Sequence, residues 1–311
     1  YANRAQLAML AADTSGAIEW GERALAIAQP SGFRECELNT LITIGSAEHT
    51  ADRPGGLEKV ERSLALALEY AHPEPAVRAY ANLSTICAKK CDYERAERYL
   101  REGLAYCETR AMHSWSLYML ACRAHVRFER GDWSQAAADA SSVLEAARAP
   151  AVCRIEAMAV LARVRMHRRE AGWERLLDEA RELALPTGER QRVMPVACAR
   201  AESAWLDGDV DRAGEEAIVG WEMPSDGSTR WEVGQLAQYL WRANRLPDTR
   251  QSLPLAAERQ IAGDWRAAAE EWERLGSPVQ RAMSLAHSDE ASALRDALSL
   301  FAQLGSEAGC A

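Results

Sequence analysis

The stretches that decide the fold are RGDWSQAAADA (residues 130–140) and AGDWRAAAEEW (residues 262–272). Both spell Gly-Asp-Trp, place an alanine three residues after the tryptophan and continue in residues that favour a helix. Glycine ends a helix at low cost because it adopts the left-handed conformation, and aspartate caps the next helix by accepting its free N–H groups. Each stretch therefore predicts a tight turn between two helices.

Copies of this turn recur along the chain. The layout returns in KCDYERAERYL (residues 90–100) and DGDVDRAGEEA (207–217), and more weakly in PGGLEKVERSL (54–64), EAGWERLLDEA (170–180) and TSGAIEWGERA (14–24). The residue after each turn is Ala17, Leu57, Tyr93, Trp133, Trp173, Val210 or Trp265. Apart from the last interval, these positions repeat roughly every 40 residues, which is typical of stacked helical hairpins. We expect the large residues among them to plug the angle between the two helices of a hairpin.

Composition agrees with a helical protein that does not enter a membrane. The chain has 311 residues, 48% of them apolar, with a formal net charge of -9 and only three phenylalanines. Abundant alanine, leucine, glutamate and arginine favour an all-α fold, and this length favours two domains or an elongated architecture. No run of 18 apolar residues predicts a membrane span. Eight scattered cysteines are typical of buried free thiols in a reducing compartment, so we predict a cytoplasmic protein.

The repeated unit resembles the tetratricopeptide repeat family. The likeness is fullest in the third copy, which contains Tyr80, Leu83, Ser84, Cys91, Asp92, Tyr93, Ala96 and Leu104. It implies an all-α superhelix of helical hairpins, a solenoid, with the first helix of each hairpin lining an inner groove. Other copies depart from the pattern: Arg123 and Arg200 stand where the family usually has leucine, and Trp20 replaces a small alanine. We expect degenerate repeats over residues 1–218, and over 219–311 an irregular loop followed by C-terminal hairpins that continue the superhelix.

The C-terminal part carries a second resemblance. YLWRANRLPD, QIAGDWRAAAEEWERLGSPVQRAMSLA and DEASALRDALSLFAQLG resemble the end of the helical-repeat region of large bacterial LuxR-type regulators, over residues 231–305. Those regulators have an N-terminal STAND ATPase and a C-terminal helix-turn-helix, and can oligomerise. The chain begins without methionine inside a helix-like pattern and lacks G-x-x-x-x-G-K-[ST]. We therefore expect a fragment that itself holds no cofactor; the resemblance implies that ATP and DNA bind only to domains absent from it.

Patterns for metal binding and catalysis are weak. Residues 207–218 imitate a calcium loop, but Arg212 and Ile218 occupy the positions that need glycine and glutamate. We predict no metal site and no catalytic residues, because G-x-S-x-G, H-E-x-x-H and C-x-x-C are all absent from the sequence. The basic stretch RVRMHRRE (residues 163–170) is interpreted as a helix C-terminus rather than a nucleic-acid site. Binding of a carboxylate-bearing ligand by this stretch is an open alternative. Cys87 lies four residues from Cys91, and Cys122 three from His125, but structural zinc sites usually use C-x₂-C. These residues are therefore interpreted as buried thiols and a surface histidine.

The inner groove is the predicted binding site. Counting back from each turn places His49, Arg53, Arg78 and Lys89 on this face. It also gives a central ligand- or partner-binding set of Tyr118, His125, Phe128, Arg165, Arg168, Arg169, Glu202 and Trp205. Arginines and exposed aromatics suit an extended peptide or a polar small-molecule inducer. The leading hypothesis is the non-catalytic sensor and interaction region of a LuxR-type STAND regulator. The alternatives are a stand-alone adaptor that scaffolds protein complexes and, third, an enzyme that uses Glu202 or His125.

Overall fold

The predicted all-α class built from helical hairpins is confirmed. A computed structural model describes residues 1–224, 230–247 and 253–310, and these contain helices but no β-strand. The helices are α1 (Ala2–Leu10), α2 (Thr14–Ala28), α3 (Arg34–Thr50), α4 (Gly56–Glu69), α5 (Pro73–Lys89), α6 (Tyr93–Glu108), α7 (His113–Glu129), α8 (Trp133–Glu145), α9 (Ala151–His167), α10 (Trp173–Ala184), α11 (Arg190–Leu206), α12 (Val210–Trp221), α13 (Arg230–Arg242), α14 (Leu255–Ile261), α15 (Trp265–Arg274), α16 (Pro278–Ala286) and α17 (Ala291–Leu304).

Each predicted turn joins two antiparallel helices. We call the first helix of each hairpin the A-helix (α1, α3, α5, α7, α9, α11 and α14) and the second the B-helix (α2, α4, α6, α8, α10, α12 and α15). Every A-helix is followed by a residue in the left-handed conformation, and these are Ala12, Asp52, Cys91, Gly131, Arg169, Gly208 and Gly263. The A-helices therefore end with one backbone geometry although the sequences of the turns differ.

The capping role of aspartate is confirmed in five hairpins. The Asp132 side chain accepts a hydrogen bond from the backbone N–H of Gln135 at 3.3 Å, and Asp264 accepts one from Ala267 at 3.1 Å. Such bonds satisfy N–H groups that have no partner inside the helix. The same bond forms at Asp13, Asp92 and Asp209.

Three predicted alignments were wrong. In α3–α4 the residue after the turn is Gly56, four positions after the left-handed Asp52, and not Leu57. In the first hairpin, Asp13 caps α2, which begins at Thr14, so Ala17 is the buried small residue of the unit and not the residue after the turn. In α9–α10, four positions separate the left-handed Arg169 from Trp173, whereas two separate Gly131 from Trp133. Counting back from the tryptophan therefore misplaces every residue of α9 by two positions.

The plug position varies more than expected. Trp133 is 1% exposed, and its ring stacks on Phe128 with centroids 5.5 Å apart. Tyr93 is also buried, but Trp173 and Trp265 are only half-buried, and Val210 is exposed. Only the first two of these fill the angle between their helices completely. The small residues three positions further on are all buried, as predicted: Ala96, Ala136, Ala213 and Ala268.

An arginine–carboxylate pair replaces an apolar contact inside two hairpins. Arg123 of α7 donates two hydrogen bonds to Asp139 of α8, at 2.8 and 2.7 Å. Arg200 of α11 donates two to Glu216 of α12, at 2.9 and 2.8 Å. Arg123 and Arg200 are the residues that stand where tetratricopeptide repeats usually have leucine. The departure from the family pattern is thus accompanied by a matching carboxylate on the partner helix.

The described residues form two compact units. One comprises residues 1–122 with Pro224, and the other comprises residues 123–223, 230–247 and 253–310. The largest core of the second unit joins α11, α12 and α13 to α16 and α17. The predicted boundary at residue 218 lies within α12. Parts of the predicted irregular loop (225–229) and of the loop after α13 (248–252) lie outside the described residues. No helix in the described part of the chain is long and apolar enough to cross a membrane.

Candidate functional site

Polar residues occupy an equivalent position in five A-helices. Ser46, Thr85, His125, Arg163 and Glu202 each lie six residues before the left-handed residue that follows their helix. Because all A-helices end with the same geometry, these residues belong to corresponding faces. The first two lie in the first unit and the other three in the second.

In the first unit, this face carries hydrogen-bonded polar side chains. Arg78 Nη1 donates to the backbone oxygen of Asn39 at 3.0 Å and to its Oδ1 at 3.1 Å, and Nη2 donates to Thr43 Oγ1 at 2.8 Å. Ser46 Oγ donates to Asn82 Oδ1 at 3.2 Å. One turn further along, the Thr85 and Tyr118 hydroxyls lie 3.2 Å apart. We call this set the polar row; it comprises Asn39, Thr43, Ser46, Arg78, Asn82, Thr85 and Tyr118.

Arg78 is a cation without a carboxylate partner. Its side chain forms no ion pair with any described residue, and its three hydrogen bonds go to neutral oxygens. Burial lowers the pKa of Arg78 to about 10, so the guanidinium is charged at neutral pH. The neutral oxygens thus leave part of the cost of its burial uncompensated, and an anion reaching this half-buried face would find a charge to pair with.

In the second unit, the corresponding face carries four ionisable groups. Arg163 Nη1 donates to Glu129 Oε1 at 2.8 Å, and Arg163 Nε donates to Glu202 Oε2 at 2.6 Å. His167 Nε2 lies 2.8 Å from Glu202 Oε1. None of the four is more than 6% exposed. We call Glu129, Arg163, His167 and Glu202 the charge network.

The charges within this network stabilise one another. Burial alone would raise the pKa of Glu202, but the charge of Arg163 and the hydrogen bond from His167 outweigh burial and lower it to about 2. Burial would likewise lower the pKa of Arg163, but the two carboxylates raise it above its ordinary value. The guanidinium also lies over the Phe128 ring, 4.0 Å from its centroid. Glu202 and Arg163 are therefore an ion pair in the folded protein.

The C-terminal helices cover the charge network. Ser277, which precedes α16, donates its hydroxyl to Glu129 Oε2 at 3.0 Å, and Gln280 Nε2 reaches the same oxygen at 3.3 Å. Ser306, which follows α17, has its hydroxyl 2.8 Å from His167 Nδ1. The groove predicted for this part of the chain is therefore closed by the chain itself.

Two predicted groove residues are buried in the core of the second unit. Phe128 is 0% exposed and stacks on Trp133, so the prediction that it lines an open groove is wrong. Glu202 is on the predicted face, but it is paired with Arg163 and His167 and is not accessible. Trp205 is half-buried and stacks on His287, which follows α16, with ring centroids 4.8 Å apart. Tertiary packing against α16 and α17 explains all three outcomes.

The arginines predicted for α9 lie at other positions of the helix. Because the α9–α10 connection has two additional residues, Arg163 and His167 occupy the positions that were assigned to Arg165 and Arg169. Arg165 is half-buried and Arg169 is exposed in the turn. Arg168 donates to Ser134 Oγ at 2.9 Å. The signal that could have shown this is Glu170-Ala171-Gly172, which is longer than a Gly-Asp turn and as long as Arg53-Pro54-Gly55 in the second hairpin.

His125 and Tyr118 are half-buried on the A-helix face, each within its own unit. His125 Nδ1 lies 3.1 Å from Glu156 Oε1. Burial tends to lower the pKa of His125, but the hydrogen bond and charge of Glu156 outweigh burial and raise it. The pKa of Glu156 is lowered in turn, since the same contact outweighs burial. This pair is a salt bridge when the imidazole is protonated.

The described side chains contain no group of three or more His, Cys, Asp or Glu residues placed to hold a metal ion. Comparison with protein-family models finds no match for the sequence. Comparison with curated proteins finds no significant match either. The polar row and the charge network are therefore interpreted from their own chemistry.

Proposed function

We propose that the chain is a non-catalytic binding module, and that the polar row of the first unit binds a carboxylate-bearing peptide or polar small molecule. The observation that carries the proposal is Arg78, a charged guanidinium on an accessible face with no carboxylate beside it. Elsewhere on the A-helices, Arg163 has two carboxylates as partners. A ligand carboxylate would supply to Arg78 what Glu129 and Glu202 supply to Arg163.

The surrounding side chains support such a ligand. A guanidinium has five N–H donors, and the bonds to Asn39 and Thr43 use only some of them. Those bonds also hold the group in one orientation, which reduces the entropy lost when a ligand binds. Asn82 lies one helical turn along α5; its amide nitrogen donates one N–H to the backbone oxygen of Arg78 and keeps the second for the rest of the ligand.

The resemblance of the C-terminal part suggests the setting of this module. In a LuxR-type STAND regulator of the cytoplasm, ligand binding to the repeats would alter how an ATPase domain packs and whether the protein oligomerises. The alternative is a stand-alone adaptor that scaffolds protein complexes. The coding sequence on either side distinguishes them: a P-loop upstream and a helix-turn-helix downstream support the regulator, whereas start and stop codons at these ends favour the adaptor.

Fluorescence anisotropy with labelled hexapeptides tests the binding site. The probe carries a C-terminal aspartate with a free carboxylate, and the comparison peptide carries asparagine with an amidated terminus. We expect the full chain to prefer the acidic peptide at least tenfold, and the Arg78→Gln variant to lose this preference. Arg101→Gln, an equal change of charge at an exposed position on α6, is the matched control and should keep it.

Two results would contradict the proposal. One is equal binding of both peptides by the unmodified chain. The other is an equal loss of preference in Arg78→Gln and Arg101→Gln, since that would indicate a general effect of net charge. Circular dichroism of both variants establishes that they are folded.

A further inference from the structure

His287 lies where three helices of the second unit end. It follows α16 directly, and its ring stacks on Trp205 of α11 with centroids 4.8 Å apart. Its backbone oxygen accepts a hydrogen bond from Arg242 Nη2 of α13 at 2.6 Å. The same three helices share one hydrophobic core. A change of charge at His287 therefore acts on contacts that α11, α13 and α16 have in common.

The hydrogen bond of the imidazole determines which ring nitrogen carries the proton. Nδ1 is hydrogen-bonded to the backbone oxygen of Met283, one turn earlier in α16. A carbonyl oxygen only accepts, so Nδ1 carries the N–H and donates it. In the neutral ring Nε2 then has a lone pair and no proton. Nε2 is buried, and no described residue is within hydrogen-bonding distance of it. A second proton on this ring would therefore have no acceptor.

The charged side chain next to this ring is a cation. Arg242 forms no ion pair with any described residue, and its Nε is buried without a hydrogen-bond partner. Burial lowers the pKa of Arg242, although the charge of Asp289 raises it. From α11 the ring meets only the uncharged Trp205. The surroundings of His287 thus already contain a poorly compensated positive charge.

Opposing effects act on the protonation of His287. The C-terminal end of a helix favours a cation, and the hydrogen bond to Met283 raises the pKa of the imidazole. Burial and, after it, the charge of Arg242 outweigh that bond and lower the pKa from 6.5 to about 3. His287 is therefore neutral in the folded protein at neutral and mildly acidic pH.

We propose that His287 is an acid-sensitive switch of the second unit: a proton on Nε2 places an unpaired positive charge beside Arg242 and weakens the junction of α11, α13 and α16. The folded protein excludes this proton, whereas the unfolded chain takes it up as pH falls through 6.5. The stabilisation from neutral His287 is thus complete above pH 6.5 and decreases as pH falls below it toward 3. This inference does not rest on the function proposed for the polar row.

Urea unfolding at pH 7.5 and at pH 5 tests the proposal. Tryptophan fluorescence follows the second unit, which contains eight of the ten tryptophans. Each excluded proton makes the unfolding equilibrium constant rise tenfold per pH unit between the two pKa values. We expect this acidification to raise the unfolding constant of the unmodified chain about thirtyfold more than that of His287→Gln, which cannot take up the proton. All other titrating groups are the same in both proteins.

Two further variants complete the experiment. His287→Phe keeps an aromatic ring on Trp205 and should show the same weak pH response as His287→Gln. His113→Gln changes an exposed histidine at the start of α7 and should respond like the unmodified chain. An equal pH response of the unmodified chain and both His287 variants would overturn the proposal.

Nuclear magnetic resonance of the imidazole nitrogens measures the protonation state of the folded chain directly. We expect the resonances of His287 to report the neutral ring with the proton on Nδ1 from pH 7.5 to pH 5. A titration of His287 near pH 6.5 in the folded protein would overturn the proposal, because the fold would then not exclude the proton.

Discussion

At the scale of single residues, Glu202 links stability to pH. The pKa of Glu202 in the folded protein is about 2, below the ordinary value of 4.5. Glu202 therefore contributes its full stabilisation at pH values above 4.5. That stabilisation is lost as pH falls through about 4 toward 2, because the unfolded chain then binds the proton more readily. Glu202→Gln should therefore destabilise the protein strongly at pH 7 and much less at pH 3.

Urea unfolding at pH 7, 5 and 3 checks this dependence. Glu19→Gln is the control, since Glu19 is exposed and pairs only with Arg23 on the surface of α2. The role assigned to the carboxylate would be contradicted if Glu202→Gln lowered the free energy of unfolding by the same amount at pH 7 and at pH 3.

Burial separates the tryptophans of the repeated turn. Trp133→Ala should lower the free energy of unfolding by about 3–5 kcal/mol, as for large aromatic residues removed from a packed core. Trp265→Ala should cost clearly less, because that side chain is half-buried although its turn is identical in sequence. Denaturant unfolding of both variants measures the difference. Equal losses would mean that the shared motif, rather than burial, determines stability.

At the scale of helical hairpins, the arginine–carboxylate pairs replace apolar packing. Arg200→Leu should destabilise the α11–α12 hairpin by about 1–3 kcal/mol, because Glu216 is then left with its longer contact to Arg181, at 3.3 Å. The double variant Arg200→Leu/Glu216→Leu should recover much of that loss, since two leucines restore an apolar contact. A double-mutant cycle from denaturant unfolding provides the coupling energy. Strictly additive losses would contradict the pairing.

At the scale of the whole molecule, charge and motif content lead to an expectation about ATP and DNA. It carries a net charge of -9, and none of its three lysines follows a glycine as a P-loop requires. We expect no ATP hydrolysis and no sequence-dependent DNA binding at physiological salt. Calorimetry with ATP and gel shifts with DNA check this. A submicromolar affinity for ATP, or a shift that depends on DNA sequence, would contradict it.

The fold could be predicted further than the site. Gly131 and Asp132 act on neighbouring backbone groups, so the hairpin that they produce is recognisable wherever the pattern recurs. Arg78 and Tyr118 lie on helices that end in turns of this length, so counting back from the turn gives their positions. The same count fails for Arg165, because the α9–α10 turn is longer than a Gly-Asp turn.

The sequence by itself determined the all-α class, the hairpins and their caps, since these follow from the preferences of residues a few positions apart. Only the tertiary structure decided which faces are open. Ser277 and Ser306 close the charge network from 148 and 139 positions away from Glu129 and His167. Phe128 is buried and Glu202 inaccessible because of packing in the second unit, and no local pattern encodes which distant segment packs on a helix. Burial is a property of the assembled chain, whereas helix formation and capping are properties of its short stretches.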